Sequence, residues 1–366
     1  MSRSRLASIA LTALAIVACT DDPAPVKPVG DAALPPVPGD AAITKPADAG
    51  PPDGAALYAS RCALCHGDTG QGYVADNADA LANPAFLAAA SDEFLRRSIE
   101  RGRPGTSMSA WGAAVGGPLS AAELEAVVQH VRGFASVSKV DVDSVTVSGS
   151  AARAQSYYDV KCKMCHGEQG RGGQYMSIAN PEFLALASDG YLRLAIREGR
   201  SATPMPAFTG MLADQIIDDL VKLIRSWQKD PTATVADMPE WPAQLLAHPD
   251  GPEPAFGDDR LVSVDAVHSA IDGGARLLLA DARTPTDYVA DHITGAVSVP
   301  FYDADKYVDK LPKDVTIVAY CGCPHAASGA LADNLSKRGF THMKVLDEGY
   351  FVWHDRGYPV RTGPAP

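Results

Sequence analysis

The sequence Cys62-Ala-Leu-Cys65-His66 returns one hundred residues later as Cys162-Lys-Met-Cys165-His166. Two cysteines three positions apart, followed at once by a histidine, are the pattern that covalent haem attachment requires. On a helical turn this spacing brings both thiols to one face, where they can add to the two vinyl groups of one porphyrin. The adjacent imidazole can then bind the iron. The pattern predicts two covalently attached haem c groups, with His66 and His166 as iron ligands.

The similarity between the two halves extends beyond these motifs and indicates an internal duplication. The matching stretches are Asn83 to Asp92 with Asn180 to Asp189, and Phe94 to Arg103 with Tyr191 to Arg200. Each unit is predicted to be helical. The cysteines end a first helix (Ala55 to Leu64, Ala152 to Met164), a middle helix begins near Asp92 and Asp189, and a capping box at Ser120 and Glu123 begins a last helix.

A sixth iron ligand is predicted in the loop before the last helix of each unit. Met108 lies in Gly-Thr-Ser-Met-Ser-Ala-Trp111, and Met205 lies in Ala-Thr-Pro-Met-Pro-Ala-Phe208. A methionine taken alone is more often core filler. Two methionines at equivalent positions in Pro/Gly-flanked loops favour iron ligation, and a thioether opposite imidazole stabilises ferrous iron. Met176 and Met211 have no counterpart in the first unit and are predicted to serve packing.

Both units, residues 55–136 and 151–229, resemble small class I c-type cytochromes in these motifs. The resemblance implies an all-α fold and a six-coordinate haem. It also implies that electrons pass through an exposed haem edge, with no substrate bound to the iron.

The C-terminal part changes to alternating strands and helices. Short apolar runs at Leu277 to Asp281 and Val315 to Tyr320 are typical of buried parallel strands. Helices are predicted at Val264 to Ile271 and Ala326 to Arg338. This alternation predicts an α/β domain with a parallel sheet.

This domain, residues 259–362, resembles the rhodanese family. The resemblance rests on these segments: Asp281-Ala-Arg283, His292-Ile-Thr-Gly-Ala296, Tyr320-Cys321, Leu346 to Trp353 and Gly357-Tyr-Pro-Val360. It implies that Cys321 is a nucleophile able to carry sulfane sulfur as a persulfide. It also implies that backbone N–H groups and the next helix N-terminus face that sulfur.

The loop Cys321-Gly-Cys323-Pro-His325-Ala-Ala departs from the family pattern. Active members usually carry glycine and arginine where Pro324 and Ala326 stand, so binding of an anionic donor such as thiosulfate is in doubt. His325 could replace part of the missing charge. Cys323, just before Pro324, is expected to be a helix N-cap with a lowered pKa.

Three interpretations of this loop remain open. Cys321, Cys323 and His325 could form a catalytic site for sulfane-sulfur or thiol redox chemistry, with either cysteine attacking and the other resolving. The domain could instead be a non-catalytic binding module. Metal binding by the two thiols and His325 would need a further ligand.

The N-terminus is typical of an export signal. Arg3 and Arg5 precede an apolar run, and Ile16-Val17-Ala18-Cys19 resembles a bacterial lipobox. Acylated Cys19 would anchor the protein to a membrane without spanning it. A plain cleaved signal with an incidental cysteine is the alternative. Thr20 at the next position points to the outer membrane.

Composition restricts the remaining possibilities. The formal charge of −12 argues against nucleic-acid binding. Of seven cysteines, four lie in haem motifs and one in the lipobox, so a disulfide scaffold is excluded.

The predicted order of segments along the chain is a signal (1–19), a Pro/Ala-rich disordered tether (20–54), haem unit 1 (55–136), a linker (137–150), haem unit 2 (151–229), a Pro-rich linker (230–258) and the α/β domain (259–362).

The sequence thus predicts a lipid-anchored dihaem electron carrier of the bacterial cell envelope, facing the periplasm or the cell surface. Periplasmic or membrane redox partners and small sulfur compounds are its expected partners. An enzyme proper, a sulfur oxidoreductase or sulfurtransferase that feeds electrons to the haems, is the alternative.

Overall fold

The computed structural model describes residues 50–231, 237–246 and 248–366. The export signal, Cys19 and most of the predicted tether lie outside the described residues. Among the residues described, no helix is both long and apolar enough to cross a membrane.

The N-terminal half consists of two helical units built alike. The first contains α1 (Gly54–Arg61), α2 (Ala63–His66), α3 (Pro84–Ala89), α4 (Asp92–Arg101) and α5 (Ala121–Arg132). The second contains α6 (Ala151–Lys161), α7 (Lys163–His166), a hairpin of β1 (Gly167–Glu168) and β2 (Arg171–Gly172), α8 (Pro181–Leu186), α9 (Asp189–Glu198) and α10 (Asp214–Ser226).

Local sequence signals explain most helix ends. Ser91 caps α4 and Ser188 caps α9, so the aspartates that follow them occupy the first helical position. The predicted capping box at Ser120 and Glu123 is confirmed at the start of α5. Each predicted first helix is broken, because Cys62 and Cys162 end one helix and cap the next short one.

The two units share one hydrophobic core. The Phe94 ring stacks on the Tyr191 ring with centroids 5.0 Å apart and planes 24° from parallel. These residues hold equivalent positions in the two repeats, since 97 residues separate them. Helix α4 packs against α8, and α3 packs reciprocally against α9.

Two asparagine contacts obey the same symmetry. The Asn83 side-chain amide donates to the carbonyl oxygen of Ser201 at 2.9 Å, and that of Asn180 donates to the carbonyl oxygen of Pro104 at 3.0 Å. Both donors and both acceptors are equivalent at the repeat offset of 97. The units are therefore related by a pseudo-two-fold axis.

The linker between the units packs as part of this core. Val142 and Val147 are buried in it, and the backbone N–H of Val140 donates to the carbonyl oxygen of Ala88 at 2.8 Å. Apolar residues within the predicted linker therefore hold it against both units.

The C-terminal domain is built on a five-stranded sheet. In chain order its elements are β3 (Leu261–Val262), α11 (Val264–Asp272), β4 (Leu277–Asp281), α12 (Pro285–Ala290), β5 (His292–Ile293), β6 (Val297–Ser298), β7 (Thr316–Tyr320), α13 (Ala326–Lys337), β8 (Met343–Leu346), α14 (Gly349–Asp355) and β9 (Val360–Arg361). The sheet order is β3-β8-β7-β4-β6 with every neighbouring pair parallel, and β5 pairs antiparallel with β9.

The central strands explain the uninterrupted apolar runs in the sequence. All residues of β4 and β7 are buried. Leu277 and Leu279 face one hydrophobic cluster while Leu278 and Ala280 face another, so helices cover both sides of the sheet. The predicted strands and helices of this domain are confirmed to within one residue at each end.

Removing the Arg101 side chain tests the contact between the helical units. Its Nε lies 2.8 Å from Oε2 of Glu182, whose side chain is 1% exposed. In the variant Arg101→Ala a buried carboxylate loses its partner, which should lower the free energy of unfolding by about 3 kcal/mol. The measurement is chemical denaturation followed by circular dichroism.

The control is Arg96→Ala, which removes the more exposed pairs with Glu93 and Glu100 in the same helix. This change should cost below about 1 kcal/mol. Equal losses of unfolding free energy in the two variants would show that the buried ion pair between the units stabilises the fold no more than an exposed pair does.

Candidate haem and cysteine sites

The haem-attachment turn has the same geometry in both units. Cys62 and Cys162 sit at the break between two helices, and the short helix that follows carries the second cysteine and the histidine. The Tyr58 hydroxyl donates to the carbonyl oxygen of Gly67 at 2.8 Å, and Tyr158 makes the same bond in its own unit. All four motif cysteines are half-buried and free of disulfides.

Each motif histidine is oriented by a backbone carbonyl. The Nδ1 of His66 lies 2.8 Å from the oxygen of Asp79, and that of His166 lies 3.0 Å from the oxygen of Met176. A carbonyl only accepts, so Nδ1 carries the proton and Nε2 keeps a lone pair for a metal. Burial lowers the pKa of both histidines, which favours the neutral, ligating form.

The loops with Met108 and Met205 also repeat one another. The backbone N–H of Arg103 donates to the Met108 oxygen at 2.8 Å, and that of Arg200 donates to the Met205 oxygen at 2.9 Å. Both methionines are half-buried against the shared core. Met211, in contrast, is largely exposed, so its predicted packing role is wrong.

These residues fit haem c. Each unit offers two unpaired thiols on one turn, a neutral imidazole with a free Nε2, and a thioether on a fixed loop. The assignment of His66, His166, Met108 and Met205 as iron ligands stays a prediction.

The second candidate site lies at the carboxyl end of β7, in the middle of the sheet. Cys321 directly follows this strand and is 1% exposed, and Cys323 is 4% exposed. The two sulfur atoms are 3.4 Å apart, and Cys321 Sγ also donates to the Cys323 oxygen at 2.6 Å. Ser328 Oγ lies 3.3 Å from Cys321 Sγ. No sequence pattern pointed to Ser328. It lies in the first turn of helix α13, and its side chain faces the cysteine loop.

The helix N-terminus faces the sulfurs as the resemblance implied, but the thiols are not activated. Backbone N–H groups of Ala327 and Ser328 interact with Cys323 and Cys321. Burial, followed by the contact with Cys323, nonetheless raises the pKa of Cys321 well above its usual value. The Cys321 contact lowers the pKa of Cys323, but an interaction with Cys65 and burial raise it to about 12. The expected lowered pKa of Cys323 is therefore wrong for this arrangement.

Cys323 is also not the helix N-cap. Helix α13 begins at Ala326, with His325 as its cap residue in a left-handed conformation (φ 68°). The helix begins two residues after Pro324 and not at it, so Cys323 lies outside the helix and does not cap it. His325 Nε2 lies 2.6 Å from Asp347 Oδ1. His325 is thus paired with a carboxylate, and the described residues contain no cluster of three or more metal-ligating His, Cys, Asp or Glu.

A buried ion pair lies at the end of β4, the strand next to β7. Asp281, the last residue of β4, accepts from Arg283 Nη2 at 2.7 Å, and both side chains are buried. The Arg283 guanidinium also lies 4.1 Å from the centroid of the Tyr350 ring. The signature Asp281-Ala-Arg283 therefore stabilises the loops around the cysteines.

Comparison with known families agrees with this division. The model for the cbb3-type cytochrome c oxidase subunit III matches residues 49–131 and 149–224, and the model for the rhodanese-like domain matches residues 263–356. The N-terminal half is therefore of the cytochrome c type, matched in two segments, and the C-terminal part is an α/β domain of the rhodanese-like type. More particularly, the chain contains two cbb3-type cytochrome c domains followed by a rhodanese-like domain, and the cytochrome c domains imply haem c.

Three relatives illustrate the similarity. A cbb3-type cytochrome c oxidase subunit CcoP of Azospirillum sp. is 26% identical over 191 residues, 47% of this chain and 60% of that protein. An HTH-type transcriptional regulator of Mycobacterium tuberculosis is 32% identical over 85 residues, 23% of this chain and 38% of that protein. The probable adenylyltransferase/sulfurtransferase MoeZ of the same species is 33% identical over 91 residues, 24% of this chain and 23% of that protein. The chain thus spans less than two thirds of each relative.

Substitution of the loop methionines tests the iron ligands. Ferric haem with a thioether ligand gives a weak near-infrared sulfur-to-iron band. Met108→Ala and Met205→Ala should each remove part of this band and lower the potential of one haem, and the double variant should lose the band. The spectrum is recorded on oxidised protein.

The exposed Met211 supplies the control, since Met211→Ala should leave the band and both potentials unchanged. A full band in the double variant would show that other residues bind the iron.

Proposed function

We propose that this protein transfers electrons in the bacterial cell envelope through two haem c groups, one in each cytochrome domain. We further propose that Cys321 and Cys323 form a thiol or sulfane-sulfur redox site that serves these haems. The observation that carries the proposal is the presence, in one packed body, of two equivalent haem-attachment turns and a buried pair of thiols 3.4 Å apart.

A haem c at each attachment turn supplies one-electron transfer between ferric and ferrous iron. The chain's contribution is to hold and orient it. Cys62 and Cys65, or Cys162 and Cys165, supply the thioether bonds. Nδ1 hydrogen bonds fix each histidine, and the shared core holds the two domains at a constant separation.

The cysteine pair can release as many electrons as two haems can accept. Closing a disulfide between Cys321 and Cys323 breaks two S–H bonds, forms one S–S bond, and releases two protons and two electrons. Two one-electron centres accept that number. The two sulfur atoms already lie 3.4 Å apart, so they are placed to form this bond with each other.

The relatives support both halves of the proposal. The similarity to an oxidase subunit of the cbb3 type supports electron transfer at the cell envelope. The similarity to a probable sulfurtransferase supports sulfur chemistry in the C-terminal domain. A lipid anchor at Cys19, an outer-membrane location, and periplasmic or membrane redox partners are part of the proposal on the sequence alone.

A second candidate function, a non-catalytic rhodanese-like binding module, is favoured by two observations. Burial raises the pKa of Cys321 well above its usual value, so little thiolate forms at this sulfur near neutral pH. Ala326 also stands where active family members usually carry arginine. For the same reasons, ordinary transfer of sulfur from thiosulfate to cyanide should be weak.

The number of haems is tested by mass. Protein produced with a haem-maturation system should exceed the mass of its chain by two haems and should keep its colour after acid extraction. The variant with Cys62→Ala and Cys65→Ala should lose one haem only, and so should its counterpart with Cys162→Ala and Cys165→Ala. A mass with one haem or none in the unchanged protein would refute the proposal of two haem sites.

Sulfur-driven reduction tests the role of the cysteine pair. Oxidised protein is mixed anaerobically with a persulfide or thiosulfate, and the ferrous haem absorption is followed. Reduction should be faster in the unchanged protein than in the Cys321→Ser, Cys323→Ser variant, whose rate measures direct reduction of haem by the donor. Equal rates in the two proteins would favour the binding-module function.

A further inference from the structure

The two thiols of the cysteine loop are closed to water, although a site that accepts sulfur donors needs access. Cys321 and Cys323 are almost completely buried. Part of this burial comes from the rhodanese-like domain itself, through Ser328 and the aromatic ring of Phe351. The rest comes from outside the domain.

The outer cover is the first cytochrome domain. A Cβ atom added to Gly322, between the two cysteines, would lie 3.5 Å from both Cα and Oγ of Ser107. Ser107 directly precedes Met108, the predicted iron ligand. The Cys323 side chain interacts with Cys65 of the haem-attachment turn, and helix α13 packs against α2.

Polar contacts hold this cover in place. The buried Thr286 hydroxyl donates to the carbonyl oxygen of Val115 at 2.8 Å. Next to it, the Ser109 hydroxyl donates to the Asp287 carboxylate. Both contacts join α12 of the rhodanese-like domain to the loop that follows Met108.

Aromatic side chains complete the contact. Trp111 packs edge-on against Phe301 and lies 5.3 Å, between ring centroids, from Tyr302. The Arg61 guanidinium lies 5.6 Å from the centroid of the Tyr302 ring. An interface that combines buried hydrogen bonds with tightly packed aromatic rings is a built contact between domains.

In the part of the chain that the structure describes, no such cover lies on the equivalent face of the second cytochrome domain. Met164, inside its haem motif, is 85% exposed, and Met211 and Pro206 are also exposed. Pro206 is the counterpart of Ser109 at the repeat offset of 97. The two domains share a fold, so the difference arises from side chains that differ between them, both in the loop that follows the methionine and in the haem motif.

We propose that the first cytochrome domain is the partner of the rhodanese-like cysteine loop, and that its Cys65 turn and Met108 loop form a cover that must move away before a sulfur compound or another protein reaches the thiols. This inference goes beyond the proposed function, because it holds whether or not the thiols exchange electrons with the haems. It also places the thiol pair against the first haem site and away from the second.

Thiol alkylation of the full-length haem-loaded protein tests the cover. With four cysteines held as haem thioethers and Cys19 acylated or removed, only Cys321 and Cys323 remain to react with iodoacetamide, and mass spectrometry counts the adducts. Alkylation should be slow in the unchanged protein. In Thr286→Arg a charge replaces the buried hydroxyl of the interface. If this raises the equilibrium constant for opening of the cover about tenfold, the alkylation rate should rise about tenfold as well.

Two variants serve as controls. Ala290→Arg places the same charge on the exposed end of α12 and should leave the rate unchanged. Thr286→Ser keeps the hydroxyl and should restore slow alkylation. Haem absorption and circular dichroism spectra confirm that each variant is folded.

Several results would overturn the proposal. Fast alkylation of the unchanged protein would show that no cover exists. Slow alkylation of Thr286→Arg would show that the rhodanese-like domain alone buries its thiols. An equal acceleration in Ala290→Arg would show general destabilisation. If the alkylation experiment confirms the cover but the sulfur donor does not reduce the haems through the cysteine pair, only the proposed function is refuted.

Discussion

The packing of the two cytochrome domains against each other is the contact on which the remaining structure depends. A helical unit of about 80 residues buries little apolar surface on its own. Here the two units share a single core, with the Phe94 ring stacked on the equivalent Tyr191 ring. The reciprocal asparagine bonds fix the same orientation through polar groups. This pairing sets the relation between the two haem sites, and it determines which faces remain for the third domain.

The pseudo-two-fold symmetry of the pair gives two equivalent faces, and the rhodanese-like domain occupies one of them. Side chains that differ between the two repeats decide the choice. Ser109 and Trp111 provide a hydrogen bond and an aromatic surface, whereas the second repeat has Pro206 and Phe208 at these places. A proline offers no hydroxyl to a partner. Duplication thus gave two similar cytochrome domains, and a few later differences gave them different neighbours.

Much of this arrangement could be predicted from the sequence, because it depends on local chemistry. The haem motifs, the capping box at Ser120 and the strands Leu277–Asp281 and Thr316–Tyr320 follow from short-range spacing. The pairing of the units and the cover over Cys323 depend on residues that are distant in the chain. Single-sequence patterns carry no information on such contacts. The pKa of Cys323 was misjudged for the same reason, since its direction depends on burial and on Cys65, which lies more than two hundred positions away.

The unusual composition of the cysteine loop is explained by what packs against it. Helix α13 opens with Ala326-Ala-Ser-Gly329, and these small residues let α2 of the first cytochrome domain approach closely. An arginine at position 326, as in active family members, would bring a long charged side chain to the start of this helix, beside a contact that buries both thiols. Loss of the anion-binding arginine and closure by a haem domain are therefore consistent with one adaptation. It exchanges a pocket open to small anions for a surface that fits a redox module of the same chain.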